Sequence, residues 1–244
     1  MEIKPNNVYL GDCLELMKDI PDNSVDCVIC DLPYGTTDAK WDFVIPIDKL
    51  WNEYDRICTP TANVLLFGSE PFSTKLRIER INLYKYDLVW LKNTVTGFFH
   101  AKNMPMKDYE LISVFSYGSL GHESLLGDKR MTYNPQGLIS KNTVRKHSLR
   151  KVGNGIYGKR PSHLDTVVSN ESNYPTMTIF FESDTSNIHP TAKPVDLLRY
   201  LILTYTNEND VILDNTCGAG STLLACEKEK GGGLVSKKMK NITT

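Results

Sequence analysis

A short apolar run, Val25–Cys30, limits the folds open to this chain more than any other stretch. It is rich in β-branched residues and nearly uncharged, which predicts a strand buried on both faces. Strands of this kind belong to parallel sheets covered by helices on each side. Such sheets bind their ligands at the carboxyl ends of the strands, so the residues that follow Cys30 are the first candidates for a site.

The four residues after this run, Asp31-Leu32-Pro33-Tyr34, combine a carboxylate, a rigid backbone position and an aromatic ring. Asp31 accepts hydrogen bonds, Pro33 restricts the backbone, and Tyr34 offers a flat stacking face with a polar tip. A carboxylate beside a ring suits a nucleobase that has left its duplex. A plain proline turn at a strand end fits the same four residues, so the motif alone leaves both interpretations open.

Strand-like and helix-like segments alternate along most of the chain, which predicts an α/β fold with a mostly parallel, doubly wound sheet. The further predicted strands are residues 8–10, 62–67, 86–91, 111–115 and 211–214. Helical spacing covers residues 13–20, 47–58, 71–81, 194–205 and 223–230. The strands at 86–91 and 111–115 follow each other closely, as at a hairpin-like sheet edge. The aromatic residues of 47–58 are expected in the core.

The composition is that of an ordinary globular protein, with 244 residues, 41% hydrophobic and 23% charged. Its length predicts one domain, or one domain with an insertion. No apolar stretch is long enough to cross a membrane, and the N-terminus lacks the apolar core of a signal peptide, so a cytoplasmic location is expected. Cys27 and Cys30 have metal-ligand spacing, but they lie inside a strand without a second ligand pair, so no metal site is predicted.

The net charge of −1 conceals a basic segment in the second half of the chain. Residues 118–186 are rich in Gly, Ser, Asn and Thr and have weak periodicity, which predicts an inserted recognition module. A solvated loop or a surface for a phosphate backbone both fit its charge, and we favour nucleic acid. Within it, nine basic residues occur without any Asp or Glu between the first and the last: Lys129, Arg130, Lys141, Arg145, Lys146, Arg150, Lys151, Lys159 and Arg160.

A second motif lies near the C-terminus, where the strand 211–214 ends in Asp214 and a glycine-rich turn leads into a helix. Gly218 and Gly220 permit close backbone approach to a ligand, and the helix N-terminus is electropositive. The turn lacks the third glycine of a dinucleotide site and the Gly-Lys-Ser/Thr of a phosphate loop. A nucleoside that carries an amino acid, such as S-adenosylmethionine, suits it better than a pyrophosphate.

Three motifs together resemble those of the DNA amino-methyltransferases. Asp31-Leu32-Pro33-Tyr34 is similar to their catalytic Asp-Pro-Pro-Tyr, residues 214–222 to their cofactor motif Asp-Pro-Phe-x-Gly-Ser-Gly-Thr, and residues 189–194 to the preceding His-Pro-Thr-Gln-Lys-Pro. Their order in the chain is that of the circularly permuted beta class. The resemblance implies a Rossmann-like class I methyltransferase fold, formed by residues 1–117 and 187–244 around the insertion.

The resemblance also implies a role for each motif. Asp31, Leu32, Pro33 and Tyr34 would form the catalytic pocket for an adenine extruded from duplex DNA, with methyl transfer to its exocyclic N6. Cytosine N4 stays open as the target. S-adenosylmethionine would contact Asp214 and the glycines with its amino-acid part, Asp12 with its adenine, and Lys193 or His189 with its carboxylate. The full predicted cofactor set is Asp12, Cys13, His189, Thr191, Lys193, Asp214, Cys217, Gly218, Gly220 and Thr222.

The tail departs from the family pattern. After the glycine turn and its helix, the family has a strand that ends in an acid for the ribose hydroxyls, whereas residues 231–244 contain no carboxylate. Back-translation of residues 234–244 one base out of frame permits Phe-Gly-Ile-Glu-Lys-Asp-Glu-Lys-Tyr-Tyr-Asn. A frameshift at the codons of Gly231–Gly233 and a naturally short tail are therefore the two hypotheses.

Other functional classes remain open from the sequence. A catalytically impaired DNA-binding relative is one, given the tail, and a methyltransferase that acts on RNA or protein is another. The expected partners are double-stranded DNA and, in a restriction-modification system, a cognate restriction endonuclease. The chain is expected to act as a monomer or a homodimer, without a membrane.

Overall fold

The computed structural model describes residues 7–35, 43–121, 126–146, 166–183, 192–231 and 238–243. Within them the helices are α1 (Cys13–Met17), α2 (Ile47–Ile57), α3 (Phe72–Glu79), α4 (Val195–Tyr205) and α5 (Ser221–Gly231). The strands are β1 (Asn7–Leu10), β2 (Val25–Cys30), β3 (Cys58–Gly68), β4 (Tyr84–Thr96), β5 (Lys107–Ser116), β6 (Ile139–Lys146), β7 (Thr166–Ser172), β8 (Thr178–Phe180), β9 (Val211–Asp214) and β10 (Lys238–Thr243).

In the described part of the chain, eight strands form one sheet in the order β1-β10-β9-β2-β3-β5-β4-β8. Neighbours from β1 to β3 are parallel, whereas β5 is antiparallel to both β3 and β4. The carboxyl ends of β9, β2 and β3 therefore lie at one edge. This confirms the predicted α/β fold with a mostly parallel sheet and an antiparallel hairpin at one side.

The central strand β2 is buried on both faces, as its sequence predicts. Val28 and Cys30 belong to the hydrophobic cluster that includes residues of α1, α2 and α3, whereas Cys27 and Ile29 belong to the cluster of α4 and α5. Successive side chains of a strand point to opposite faces, so Cys27 and Cys30 lie on different sides of the sheet. They are not placed to share a ligand. The one charge in the run, Asp26, accepts a hydrogen bond from Val211 N over 2.8 Å.

The helix boundaries differ slightly from the predicted ones. α1 ends at Met17, before the predicted end at residue 20, because the next residues form tighter turns. Ile20 N donates to Met17 O over 2.9 Å, a bond that spans three residues and not four. α3 begins at Phe72, one residue after the predicted start, and ends at Glu79. No helix within the described ranges has the length and apolar character needed to cross a membrane.

Two compact units divide the chain. The larger contains residues 1–134 and 177–244, and the smaller is Pro135–Thr176. In the smaller unit β6 and β7 form an antiparallel pair. The ends of the predicted insertion 118–186 thus belong to the larger unit: residues 119 and 130 form a bridge there, and β8 pairs with β4.

The tail contributes a strand to the sheet. β10 lies between β1 and β9 and is parallel to both, with Asn241 level with Asp214. This is the position at which the resemblance expects a strand after the glycine turn. Its six residues, 238–243, include no Asp or Glu.

Candidate active site

The two sequence motifs meet at one edge of the sheet. Asp214 ends β9, and Asp31 follows β2, the neighbouring parallel strand. Gly68, at the end of β3, lies on the other side of β2. Residues far apart in the sequence are therefore brought to adjacent strand ends.

Asp31 has both carboxylate oxygens engaged. Tyr34 Oη donates a hydrogen bond to Asp31 Oδ1 over 2.8 Å, and Lys193 Nζ lies 2.5 Å from Oδ2. About a third of the carboxylate side chain is still exposed, at 30%. The Tyr34 ring packs on Phe72, with ring centroids 5.0 Å apart. Burial, and then the Asp31 carboxylate, raise the pKa of Tyr34 well above its usual value, so the phenol keeps its proton at neutral pH.

The two residues between Asp31 and Tyr34 support the turn. The Leu32 side chain is buried in the cluster that contains α1 and α2, and Pro33 is half-buried. Leucine at the position of the family's first proline therefore fills part of the core.

Lys193 lies beside Asp31 at this edge. The motif resemblance predicts a contact with the cofactor carboxylate, whereas the structure places its ammonium between Asp31 and Glu110, with Nζ 3.5 Å from Glu110 Oε2. The Phe67 ring centroid is 5.2 Å from Nζ. Burial alone would lower the pKa of Lys193, but the ion pairs with Asp31 and Glu110 outweigh it and raise the pKa. The Lys193 side chain therefore keeps its positive charge at neutral pH.

Sequence reasoning missed a group of charged side chains from β4 and β5. Glu110 Oε1 accepts a hydrogen bond from Lys92 Nζ, and Lys107 Nζ donates to Ser69 Oγ over 2.5 Å. Burial would raise the pKa of Glu110, but Lys193 and Lys92 lower it overall, so Glu110 is ionised. The available signal was a charge next to a predicted strand, the same signal that marks Asp31. A charge next to a predicted strand does not indicate which other strand lies beside it.

Asp214 is buried, with 3% of the residue exposed, and its oxygens are bonded by the turn that follows it. Thr216 N donates to Oδ1 over 3.2 Å, and Thr222 Oγ1 donates to Oδ2 over 2.6 Å. Burial raises the pKa of Asp214 from 3.8 to about 6, although the two hydrogen bonds partly oppose this. Asp214 therefore fixes the shape of the turn as well as carrying charge.

The glycines of the turn adopt a backbone conformation that other residues rarely take. Gly218 and Gly220 have φ angles of 48° and 78°, in the left-handed region that favours glycine. A Cβ on Gly220 would meet no atom within 4 Å, so the backbone faces open space. A cleft there is lined by Val8, the buried Cys217 and the turn.

Thr216 and Asn215 join the two motifs. Thr216 Oγ1 donates to the carbonyl oxygen of Asp31 over 2.9 Å and lies 2.8 Å from Cys30 Sγ. Tyr54 Oη, from α2, donates to Asn215 Oδ1 over 2.6 Å. Asn215-Thr216 replaces the family's Pro-Phe, so this departure supplies polar contacts between the cofactor turn and the catalytic strand.

The remaining predicted cofactor residues do not belong to the two motifs at the ends of β2 and β9. Asp12 caps α1, with Oδ1 accepting from Leu14 N over 2.8 Å and from Glu15 N over 3.4 Å, and Cys13 is buried. His189 and Thr191 lie outside the described residues.

Of the predicted basic set, Lys129 and Lys141 are exposed, the first in the larger unit and the second in the smaller. Arg130 is half-buried in the larger unit, and Arg145 and Lys146 belong to β6. The other four lie outside the described residues: Arg150, Lys151, Lys159 and Arg160.

Most of the chain matches a known protein family. The model of a family described as DNA methylase, N6_N4_Mtase, matches residues 25–233. The chain belongs to this DNA methylase family. The match includes both strand ends, the turn and the hairpin of β4 and β5. It confirms the predicted relation to DNA amino-methyltransferases, enzymes that use S-adenosylmethionine.

Individual relatives agree with the family. The chain is 23% identical to the type II methyltransferase M2.MboI of Moraxella bovis, over 90% of this chain and 78% of that one. It is 28% identical to M.BamHI of Bacillus amyloliquefaciens over 93% of this chain, which spans only 54% of that relative.

Solved structures share the fold. The M1.HpyAVI–SAM complex superposes with a TM-score of 0.61 at 19% identity, covering 98% of this chain and 93% of that one. The PvuII DNA methyltransferase, described as cytosine-N4-specific, superposes with a TM-score of 0.65 at 14% identity, covering 99% and 85%. The class I methyltransferase fold predicted from the sequence is thereby confirmed.

Proposed function

We propose that the chain transfers a methyl group from S-adenosylmethionine to the exocyclic N6 of an adenine extruded from double-stranded DNA. The observation that carries this proposal is the adjacency of Asp31 and the Asp214 turn at neighbouring strand ends, linked by the Thr216 hydroxyl. An acceptor for an amino group and a turn for a nucleoside are thus held side by side. Proximity and orientation of this kind lower the barrier to a two-substrate reaction.

The catalytic half acts on the amino group. Asp31 accepts a hydrogen bond from one amino hydrogen and the Leu32 carbonyl accepts the other, which directs the nitrogen lone pair and stabilises the positive charge that develops on it. The Tyr34 ring supports the base, while its hydroxyl holds Asp31 in place. No strong base is required, because the methylated ammonium is acidic and loses its proton readily.

Lys193 must release Asp31 for this to occur. Its ammonium lies 2.5 Å from Asp31 Oδ2 and 3.5 Å from Glu110 Oε2, so a small side-chain movement transfers it from one carboxylate to the other. Glu110 then balances the Lys193 charge while Asp31 binds the base. Lys92 holds Glu110 by its other oxygen.

The cofactor half fits the amino-acid part of S-adenosylmethionine. The left-handed Gly218 and Gly220 leave open space in front of the turn, and the N-terminus of α5 follows at Ser221. When bound, the cofactor supplies an electrophilic methyl group on its sulfonium. Asp214, Cys217 and Thr222 would hold its amino-acid part, His189 its carboxylate in place of the Asp31-paired Lys193, and Asp12 the adenine.

The ribose contact is the weak part of this half. Strand β10 carries no carboxylate in residues 238–243, as either a frameshift at the codons of Gly231–Gly233 or a naturally short tail would leave it. We expect low cofactor affinity as a result. Titration calorimetry with S-adenosylmethionine tests this, and tight binding would contradict it. Resequencing these codons tests the cause, since an in-frame reading without a nearby Glu would exclude it.

The decisive experiment identifies the methylated base. The purified chain is incubated with unmodified DNA and labelled S-adenosylmethionine, and the digested nucleosides are separated by mass. N6-methyladenine supports the proposal, and N4-methylcytosine would replace it with the target named for the PvuII enzyme. Absence of label in DNA would favour an impaired DNA-binding relative, and label in RNA or protein would favour another substrate class.

The remaining parts of the proposal concern DNA recognition. We infer that the basic residues between Lys129 and Arg160 contact phosphates and that residues 118–186 read the target sequence. A role in a restriction-modification system, beside a cognate endonuclease, agrees with the type II names of the relatives. Long-read sequencing of DNA from expressing cells gives the target sequence, and sedimentation distinguishes monomer from homodimer.

A further inference from the structure

The turn between β4 and β5, residues 97–106 and here called the hairpin tip, exposes two adjacent phenylalanines. Phe98 is 77% exposed and Phe99 is 97% exposed, and Met104 beside them is 60% exposed. Large apolar side chains are rarely exposed together unless they meet a partner. Neither phenylalanine belongs to the hydrophobic clusters that cover the sheet. Their exposure is therefore unexplained by folding.

The hairpin tip extends from the same edge of the sheet as Asp31. β5 is antiparallel to β3, with Leu111 opposite Gly68 at the carboxyl end of β3. The start of β5 and the end of β4 therefore lie at that end, where Thr96 pairs with Lys107. Chain that continues beyond this pair lies past the strand ends, on the side where the base would bind.

The base of the hairpin contacts the catalytic half directly. Lys107 Nζ donates to Ser69 Oγ over 2.5 Å, at the turn that follows β3. Three residues further along β5, Glu110 lies 3.5 Å from Lys193, which is paired with Asp31. The base of the hairpin is thus held relative to Asp31 by polar contacts.

The hairpin tip has its own backbone structure. Gly97 has a φ of 90°, and a single 3₁₀ turn follows at Phe98–His100. His100 N donates to Gly97 O over 2.9 Å, and Asn103 N donates to His100 O over 2.8 Å. The two rings are therefore presented by an ordered turn whose shape does not depend on burying them.

The charge around the tip favours a polyanion as partner. Residues 93–107 contain Lys102, Lys107 and His100 but no Asp or Glu. Apolar side chains inserted between base steps are a recurrent device of proteins that distort DNA, and extruding a base leaves a gap in the stack. A second copy of this chain would offer no such charge complementarity, since its net charge is only −1.

We propose that Phe98 and Phe99 enter the duplex beside the target base and occupy the stack while that base lies in the Asp31 pocket. This inference rests on the proposed function, because it needs an extruded base. Phe99, the more exposed ring, enters the stack, and Phe98 supports it. The exposed Lys102 holds a neighbouring phosphate.

The test compares two duplexes that carry the target sequence found by long-read sequencing. In one the target adenine is paired, and in the other it faces an abasic site, where extrusion costs less. For Phe98→Ala/Phe99→Ala we expect kcat/KM on the paired duplex to fall by about 10- to 100-fold, since unpairing costs a few kcal/mol. On the abasic duplex the variant should stay within about 3-fold of the unaltered chain, because the adenine has no base pair to break and its extrusion costs less.

Two controls accompany this test. Phe99→Trp, made in the unaltered chain, keeps a stacking ring and should retain most of the activity on the paired duplex. Ile78→Ala removes another exposed apolar side chain, 70% exposed on α3, and should have no effect on either duplex. Circular dichroism verifies that each variant is folded.

Each result has a defined meaning. Equal losses on both duplexes, or no loss on either, would overturn the role of the phenylalanines while leaving the proposed function intact. An unaltered chain that methylates neither duplex would count against the proposed function and this inference together. If sedimentation shows a dimer that the double variant abolishes, the tip is an interface between copies, and the inference is wrong.

Discussion

The two carboxylates at the sheet edge, Asp31 and Asp214, end neighbouring strands in very different surroundings. Asp31 keeps 30% of its side chain exposed and is paired with a phenol and an ammonium from elsewhere in the chain. Asp214 is buried and bonded by the hydroxyl of Thr222 and the amide of Thr216, which belong to its own turn. On the proposed function, Asp31 meets the ligand, and Asp214 chiefly holds a loop in the shape that the ligand needs.

The difference teaches how one sheet edge separates chemistry from binding. The Asp31 half collects charges from four segments, so its state can change when a base arrives. The Asp214 carboxylate is bonded by residues close to it in the sequence, so on the proposed function we expect this half to select a ligand by shape. Substitutions in the first half should change turnover, and those in the second should change stability and cofactor affinity.

The largest effect is expected for Asp31→Ala. Losing the group that stabilises the developing charge should reduce kcat by about 10²- to 10³-fold, with little change in the Kd of S-adenosylmethionine. Methyl transfer and calorimetry measure the two quantities. Asp48→Asn, at an exposed position in the first turn of α2, is the matched control and should leave both unchanged. A variant that lost cofactor binding in proportion to turnover would remove the distinction between the halves.

Asp214→Asn should change the pH dependence of stability. Because burial raises the pKa of Asp214 from 3.8 to about 6, the folded chain binds this proton more tightly than the unfolded chain. The contribution of Asp214 is therefore fully favourable below about pH 4 and is lost as the pH rises to about 6, by about 3 kcal/mol in total.

Urea unfolding of both proteins between pH 4 and pH 7 measures this term. The stability of the unaltered chain relative to Asp214→Asn should fall across that interval and stay constant above it. Parallel curves for the two proteins would mean that burial does not raise the pKa of Asp214, and the comparison would break.

Glu110→Gln tests the charge transfer proposed for Lys193. Without a second carboxylate, the ammonium should stay on Asp31 and compete with the base, and we expect kcat to fall by about 10-fold, roughly one charge-assisted hydrogen bond. Lys193→Met removes the competitor, so the double variant should lose no more than Lys193→Met alone. Additive losses would assign Glu110 a purely structural role.

Much of this molecule is predictable from the sequence. The strand Val25–Cys30 has the predicted bounds. Its apolar, β-branched composition indicates burial on both faces, and this local signal is enough to predict the strand. The glycine turn is equally local, so its motif predicts the tight connection between strand and helix. Contacts between Glu110 and Lys193, or between Thr216 and Asp31, join segments far apart in sequence. They depend on strand order and register, which no local pattern specifies.

Thr216→Val gives the smallest predicted effect and tests the connection between the halves. It removes the hydroxyl that donates to the Asp31 carbonyl over 2.9 Å, while valine keeps the shape of the side chain. We expect a loss of about 1 kcal/mol in the free energy of unfolding, the usual net value of one such hydrogen bond. If Thr216 also aligns the halves, kcat measured on the fully folded Thr216→Val variant should fall by about 3-fold. Thr216→Ser keeps the hydroxyl and should retain both the stability and the kcat of the unaltered chain. Restoration of stability without turnover would show that the methyl group of threonine, and not the bond to Asp31, sets the alignment.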